Sequence, residues 1–346
     1  MHVTTIGIDL AKNVFQVHGV DSHGHAVLRK QLKRSQLIPY FANLPPCLIG
    51  MESCCGAHFF ARRLEAFGHR AKLIAPQFVK PYVKTNKNDA ADAEAICEAV
   101  ARPNMRFVPA KNVEQQAVLM LHRAREGFVD QRTAQINQIR GLLMEFGIVI
   151  PKGVYLARTA IPAIVADETN ELPVRARQLF RQLYDHFREL DRQAKSIEEQ
   201  IHAWYRNSEA SQRLKDIPGV GYLTATALVA SIGDARAFKN GRQLAAWLGL
   251  VPKQYSSGGK QILRRISKRG DVYLRKLLIL GARAVLRHLK AKPGQEPGWV
   301  DRLLTRRRSN VVAVALANKN ARIVWALLAH ERPYQSDYRR CHTLAA

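Results

Sequence analysis

Val3-Thr4-Thr5-Ile6-Gly7-Ile8-Asp9 alternates β-branched and smaller residues and closes on a carboxylate. Residues 14–20 have the same strand character, 21–24 supply a turn, and 26–32 continue beyond it. Such runs separated by short turns predict a three-stranded antiparallel meander. Outward from it, residues 35–44 are helical in spacing, and 47–52 form a short apolar strand ending on Glu52. Residues 57–67 are helical, 70–74 form a further strand, and helices follow around 76–83 and 88–100. The order is βββαβαβα, an α/β domain.

The chain has 346 residues, 47% hydrophobic and 24% charged, which leaves room for two compact domains and a connector. Its net charge of +26 is uneven: residues 211–346 hold 26 basic and 7 acidic side chains, against 12 and 8 in residues 1–100. That excess points to a polyanionic partner, nucleic acid first of all, met mainly by the C-terminal part. A membrane is the rival partner, but no apolar run approaches the ~20 residues that span a bilayer. Residues 311–329 come nearest and are interrupted by Asn318, Lys319, Asn320 and Arg322. With no signal-peptide pattern and five cysteines lacking CxxC spacing, the expected setting is the cytoplasm, nucleoid-associated, with no membrane. Twelve scattered histidines offer no zinc-like cluster.

Residues 113–147 are helical and polar-rich, after which Pro151, Gly153, Pro162 and Pro173 mark a loop or linker. A long helix is predicted over 174–206, where Leu183, Phe187, Leu190, Ala194, Ile197, Ile201 and Trp204 recur at steps of 4 and 3. This is a three-heptad coiled-coil seam, pairing helices within one chain or between protomers; a helix packed on its own domain is the plainer reading. Further on, Ile217-Pro218-Gly219-Val220-Gly221 leads into an Ala-rich helix over 222–231. Such a turn exposes backbone N–H groups at a helix N-terminus for a phosphate, in helix-hairpin-helix style, with Gly219 and Gly221 as contacts. A bare chain reversal is the alternative. The expected domains are 1–110 (α/β), 111–207 (α-helical coiled-coil connector) and 208–346 (mostly α, basic).

Four carboxylates stand out by position. Asp9 and Glu52 close the first and fourth strands, and Asp89 and Asp92 sit at i and i+3 on one face of a helix start. Strand ends beside a helix face can converge hard oxygen ligands on two Mg²⁺ ions about 4 Å apart, as two-metal phosphoryl transfer requires. An acid ending an apolar strand is costly to hide without a cation. Taken singly, Asp89 reads equally as a helix N-cap and Glu52 as a solvated strand end. The βββαβαβα order is that of the ribonuclease-H-like fold, and the four acids would stand on its site positions.

With these residues in view, the chain resembles the transposases of the insertion-sequence one-ten and eleven-eleven groups over nearly its whole length. The likeness rests on Gly7-Ile8-Asp9-Leu10-Ala11-Lys12, Met51-Glu52-Ser53-Cys54-Cys55-Gly56-Ala57-His58 and Lys87-Asn88-Asp89-Ala90-Ala91-Asp92-Ala93 in front. Behind, it rests on the 217–221 turn, Gly249-Leu250-Val251-Pro252, Ser256-Ser257-Gly258-Gly259 and Ile266-Ser267-Lys268-Arg269-Gly270-Asp271. The resemblance implies a RuvC-like domain whose Asp-Glu-Asp-Asp site, holding Mg²⁺, is Asp9, Glu52, Asp89 and Asp92. It also implies a C-terminal transposase domain with a nucleophilic serine. The family's serine precedes a glycine, which selects Ser257, with Ser256 its adjacent rival. Also implied is a recombinase acting on donor and target DNA as a homo-oligomer, dimer to tetramer, with a composite site built from both domains. Some members are guided by a non-coding bridge RNA. Where the family often has a glycine two residues before Ile266, this sequence has Arg264.

By its residues alone, 253–260 reads as a flexible phosphate-binding loop that includes Lys260 and feeds into Arg264, Arg265, Lys268 and Arg269. Cations there can stabilise a pentavalent transition state. Lys84 and Lys87 line the approach to Asp89 and can guide a nucleic-acid strand, and Arg275 reads as a groove or backbone contact on a helix over 272–289. No Gly-x-x-x-x-Gly-Lys-Ser/Thr phosphate loop occurs, in keeping with strand exchange that conserves bond energy. The expected function is a site-specific DNA recombinase of an insertion sequence. The alternative is a metal-dependent RuvC-like DNA junction endonuclease that uses the same acids for hydrolysis.

Overall fold

A computed structural model of the chain describes residues 2–84, 88–289 and 298–335. They divide into two compact units, Met1–Glu114 and Gln115–Ala346.

The first unit contains β1 (Thr5–Asp9), β2 (Val14–Val20), β3 (Ala26–Lys33), α1 (Arg34–Ala42), β4 (Leu48–Glu52), α2 (Ala57–Ala66), β5 (Arg70–Ile74), α3 (Pro76–Val79), α4 (Asp89–Val100) and β6 (Phe107–Val108). The sheet order is β3-β2-β1-β4-β5-β6. The meander is antiparallel, β4 pairs parallel with β1 and β5 parallel with β4, and β6 adds an antiparallel edge. This mixed sheet agrees with the α/β reading; β6 went unread because two residues carry no periodicity. Ile6, Gly7 and Ile8 are all buried, as helices cover both faces of a sheet. Phe15, Phe41, Phe60 and Leu64 form one core with α1 and α2, while Ile74, Ile96 and Val100 form another with α4.

The second unit contains α5 (Val113–Met144), α6 (Val154–Ala166), α7 (Val174–Asn207), α8 (Glu209–Gln212), α9 (Tyr222–Ile232), α10 (Gly241–Trp247), β7 (Pro252–Ser257), β8 (Lys260–Ile266), α11 (Val272–His288), α12 (Trp299–Leu304) and α13 (Ser309–Ala329). It is mostly helical and has two apolar clusters, one around Ile136, Ile161 and Phe187, the other around Leu214, Leu244, Leu278 and Val324. Arg125 bonds Glu198 at 2.7 Å and Arg132 bonds Asp191 at 2.7 Å, so α5 and α7 run antiparallel. The seam of α7 is used inside this chain: Phe187 packs with Ile136 and Ile161, and Leu190, Ala194 and Ile201 are buried.

Two sequence expectations need correction here. The Pro-marked stretch expected as a linker contains α6, which continues through Pro162. A proline cannot donate to the carbonyl four residues back. Tyr184 Oη donates to that carbonyl, Arg158 O, at 2.9 Å, so the acceptor freed by the missing helical bond is still satisfied. Second, α13 is long and apolar enough by length and composition to cross a membrane. In this fold its Val312, Leu316, Ala321 and Val324 are core residues, and its Asn318 and Asn320 amides donate to Leu250 O and Pro218 O.

Candidate active site

The acidic site follows from how closely α4 lies on the sheet. Thr5, Gly7 and Asp9 share one face of β1, and Asp89, Ala93 and Cys97 share one face of α4. A Cβ on Gly7 would lie 2.2 Å from Ala93 O and 2.4 Å from Cys97 N, and one on Gly50 would lie 2.7 Å from Val100 Cβ. Only glycine lets the helix backbone rest on the strands, and that contact brings the first turn of α4 over the end of β1. Ligand oxygens of Asp9, Asp89 and Asp92 all lie within 4.8 Å of one another. The parallel register, Ile8 opposite Met51, sets Glu52 at the neighbouring strand end. Burial, and then the charges of Asp9 and Asp92, hold its carboxyl above the usual glutamate range. Asn88 caps α4, its side chain accepting from Ala90 N at 2.9 Å, so Asp89 is not spent as a cap.

Such a set fits a hard divalent cation: at least three carboxylates converge, and Glu52 is crowded by the same negative charge that a cation would offset. Gly7, Gly50 and Asn88 are the supporting residues the sequence reading missed. A glycine two residues before each strand-end acid was the available signal. Lys84 is tied to α4 by ion pairs to Glu98 (3.2 Å) and Glu94 (4.0 Å), which qualifies the expectation of a nucleic-acid guide. Lys87 lies outside the described residues.

Ser257 is on a β-hairpin, which corrects the flexible-loop expectation. Gly258 and Gly259 have φ of 54° and 77° and make a two-residue turn, with Ser257 opposite Lys260. Tyr255 is opposite Ile262, and Ser256 is opposite Gln261. Residues two apart on a strand share a face, so Ser257, Lys260, Tyr255, Ile262 and Arg264 lie on one side. Ser256 and Gln261 lie on the other, with Gln254 Nε2 donating to Ser256 Oγ at 2.9 Å, and a register irregularity follows between Leu263 and Ile266. Every β7 residue is exposed, and so are Lys260, Arg264, Arg265, Lys268 and Arg269. The two neighbouring serines therefore meet different chemistry.

A model of DEDD-type IS110 transposases matches residues 6–148, and a model described as the transposase IS116/IS110/IS902 family matches residues 211–295. The chain is 54% identical over 336 residues to a probable family 20 transposase of Pseudomonas aeruginosa, covering 97% of this chain and 99% of that one. It is 47% identical over 326 residues to the transposase for insertion sequence element IS1328 of Yersinia enterocolitica, covering 94% and 97%. The transposase for insertion sequence element IS1111A of Coxiella burnetii is 45% identical over 333 residues, covering 96% and 92%. The chain belongs to the IS116/IS110/IS902 transposase family. It is an insertion-sequence transposase, a DNA-processing enzyme.

In this transposase the hairpin's two feet are fastened by one buried guanidinium. Arg275 Nη1 donates to Leu248 O (3.1 Å), before β7, and to Arg269 O (3.1 Å), after β8. Arg275 is thus a structural clamp, not the groove contact expected from its charge. Gly249 and Gly270 cross at the same base, where a Cβ on Gly249 would lie 2.0 Å from Arg269 O. Close to the hairpin's exit, Tyr273 Oη meets His122 Nδ1 at 2.9 Å, and His122 Nε2 meets Thr226 Oγ1 at 3.0 Å. Burial, and then the charge of Arg125, pushes His122 down to about 4, so it is neutral near pH 7. In the 217–221 turn, Gly219 is pressed against Gly281 O at 2.7 Å from an added Cβ, whereas Gly221 faces open space at the uncapped start of α9. Gly219 serves packing, and Gly221 alone leaves room for a ligand.

Proposed function

We propose that this insertion-sequence transposase cuts and rejoins donor and target DNA through Ser257, with Mg²⁺ held by Asp9, Glu52, Asp89 and Asp92. The observation that carries the reading is the convergence of Asp9, Asp89 and Asp92, a ligand set for the divalent cation of phosphoryl transfer. When bound, the cation withdraws charge from phosphate oxygens and lowers the barrier to attack. Ser257 is chosen over Ser256 because its hairpin face also carries Lys260 and Arg264, cations suited to a pentavalent phosphorus.

Ser257 Oγ attacks the phosphorus and the bond to the 3′ oxygen breaks. The serine proton passes to a base, and the departing 3′ oxygen takes one up. Attack by a free 3′ hydroxyl on the same phosphorus later releases Ser257. Bond number is conserved, so strand exchange needs no nucleotide hydrolysis. Exposed Arg265, Lys268, Arg269 and Lys260, with the open α9 start at Gly221, are the expected phosphate contacts. Guidance by a bridge RNA, and assembly as a dimer to tetramer, belong to the same reading. The +19 net charge of residues 211–346 suits an RNA as well as DNA.

The test is a strand-transfer assay on the protein's own element with Asp9→Asn, Ser257→Ala and Ser256→Ala variants. The reading expects the first two to be inactive and the third active. Asp9-dependent cutting that survives in Ser257→Ala would identify a hydrolytic junction endonuclease instead.

A further inference from the structure

The serine face of the hairpin carries more than a nucleophile and cations. One same-face step back from the Ser257–Lys260 rung is the Tyr255–Ile262 rung, about 7 Å away at two residues of strand rise. Tyr255 is 57% exposed and Ile262 49%. The Arg264 guanidinium lies 5.3 Å from the centre of the Tyr255 ring. A cross-strand aromatic and β-branched pair helps hold a hairpin together, and that alone could explain it. However, the ring keeps more than half its surface in water with a cation already beside it. It also points to the same side as the serine.

We infer that the Tyr255 ring, backed by Ile262 and Arg264, is a stacking platform for an unpaired nucleobase flanking the phosphate that Ser257 addresses. The inference rests on the proposed role of Ser257 for its location. Its chemistry is independent of that role. A base presents a π face to any aromatic ring whatever its sequence, and Arg264 can meet the adjoining phosphate. The ligand class is therefore a single-stranded or locally unpaired stretch of DNA, not a closed duplex groove.

The test is photocrosslinking of the full-length protein to a single strand from its own element's ends, with 5-iodo-2′-deoxyuridine replacing thymidine. Adducts are mapped on the tryptic peptide of residues 254–260. Wild type and Ser257→Ala are both expected to crosslink at Tyr255. Tyr255→Phe should keep the yield within about twofold, and Tyr255→Ile, which preserves strand pairing, should lose it by about tenfold or more. Crosslinks elsewhere with none at Tyr255, or an unchanged yield on this peptide in Tyr255→Ile, would overturn the platform. Loss of strand transfer chemistry at Ser257 would not, because the crosslink in Ser257→Ala is read separately.

Discussion

The acidic cluster and the serine hairpin are built in opposite ways. Asp9 and Glu52 end buried parallel strands, and Asp89 and Asp92 start a helix pressed onto those strands through Gly7 and Gly50. Ser257 stands near the tip of a two-stranded ribbon exposed throughout β7, held at its feet by Arg275. A cation site needs ligand atoms fixed to a fraction of an ångström, and close backbone packing supplies that. A group that must reach a phosphate in a large polyanion gains from projecting out of the fold. Precision and reach are thus divided between the two regions.

The largest expected effect is on the acidic side: Asp9→Asn should lower strand cleavage by about 10³-fold or more while leaving nucleic-acid binding in a mobility-shift assay nearly unchanged. Next is the hairpin's foot. Arg275→Met leaves the carbonyls of Leu248 and Arg269 without their buried donor and should cost the second unit about 3 kcal/mol in urea unfolding. Acid should act in opposite directions on the two regions. His122 has a folded pKa of about 4, below its ordinary 6.5, so the unfolded chain takes the proton first. Stability of the second unit is then lost as pH falls from about 6.5 toward 4, by roughly 3 kcal/mol in all. His122→Gln should flatten that dependence.

Glycine substitutions sharpen the contrast further. Gly7→Val forces a side chain into Ala93 O and Cys97 N and should cost about 2–3 kcal/mol, and should pull Asp89 and Asp92 away from Asp9. Gly258→Ala only places a Cβ at φ 54° in open space, at about 1 kcal/mol. The smallest effect is at Glu52, whose raised pKa means that the metal-free fold gains stability as pH falls through its titration. Glu52→Gln should remove that gain in chelator, and should also remove part of the Mg²⁺-induced rise in Tm. An unchanged Mg²⁺ response in Glu52→Gln would exclude this side chain from the cation site.

The first unit was legible because its signals are local: β1 to β5 are short strand-type runs set off by turns or helices, and Asp9 and Glu52 each close an apolar run. What the sequence hid there was the support, since a glycine on a strand does not announce which helix backbone it admits. The hairpin was harder to read because none of its β7 residues is buried, so alternation had no apolar face to mark. Its Gly258-Gly259 pair was the usable sign, a two-residue turn with both residues at positive φ. Arg275 was misread because charge predicts a surface role, and burial with three carbonyl acceptors nearby is a tertiary property. α6 was hidden by Pro162, whose missing donor comes from Tyr184, a residue 22 positions further along the chain.

In the proposed mechanism the exposed hairpin, not the acidic cluster, bonds to the DNA strand. The most direct measurement is to denature the protein rapidly in cells carrying its own element, digest the DNA, and examine the tryptic peptide of residues 254–260 by mass spectrometry. A nucleotide phosphate is expected on Ser257, present in Ser256→Ala and absent in Ser257→Ala and Asp9→Asn. Asp9-dependent, Mg²⁺-dependent strand cleavage with no adduct on Ser257 would contradict it and leave the acids to act by hydrolysis.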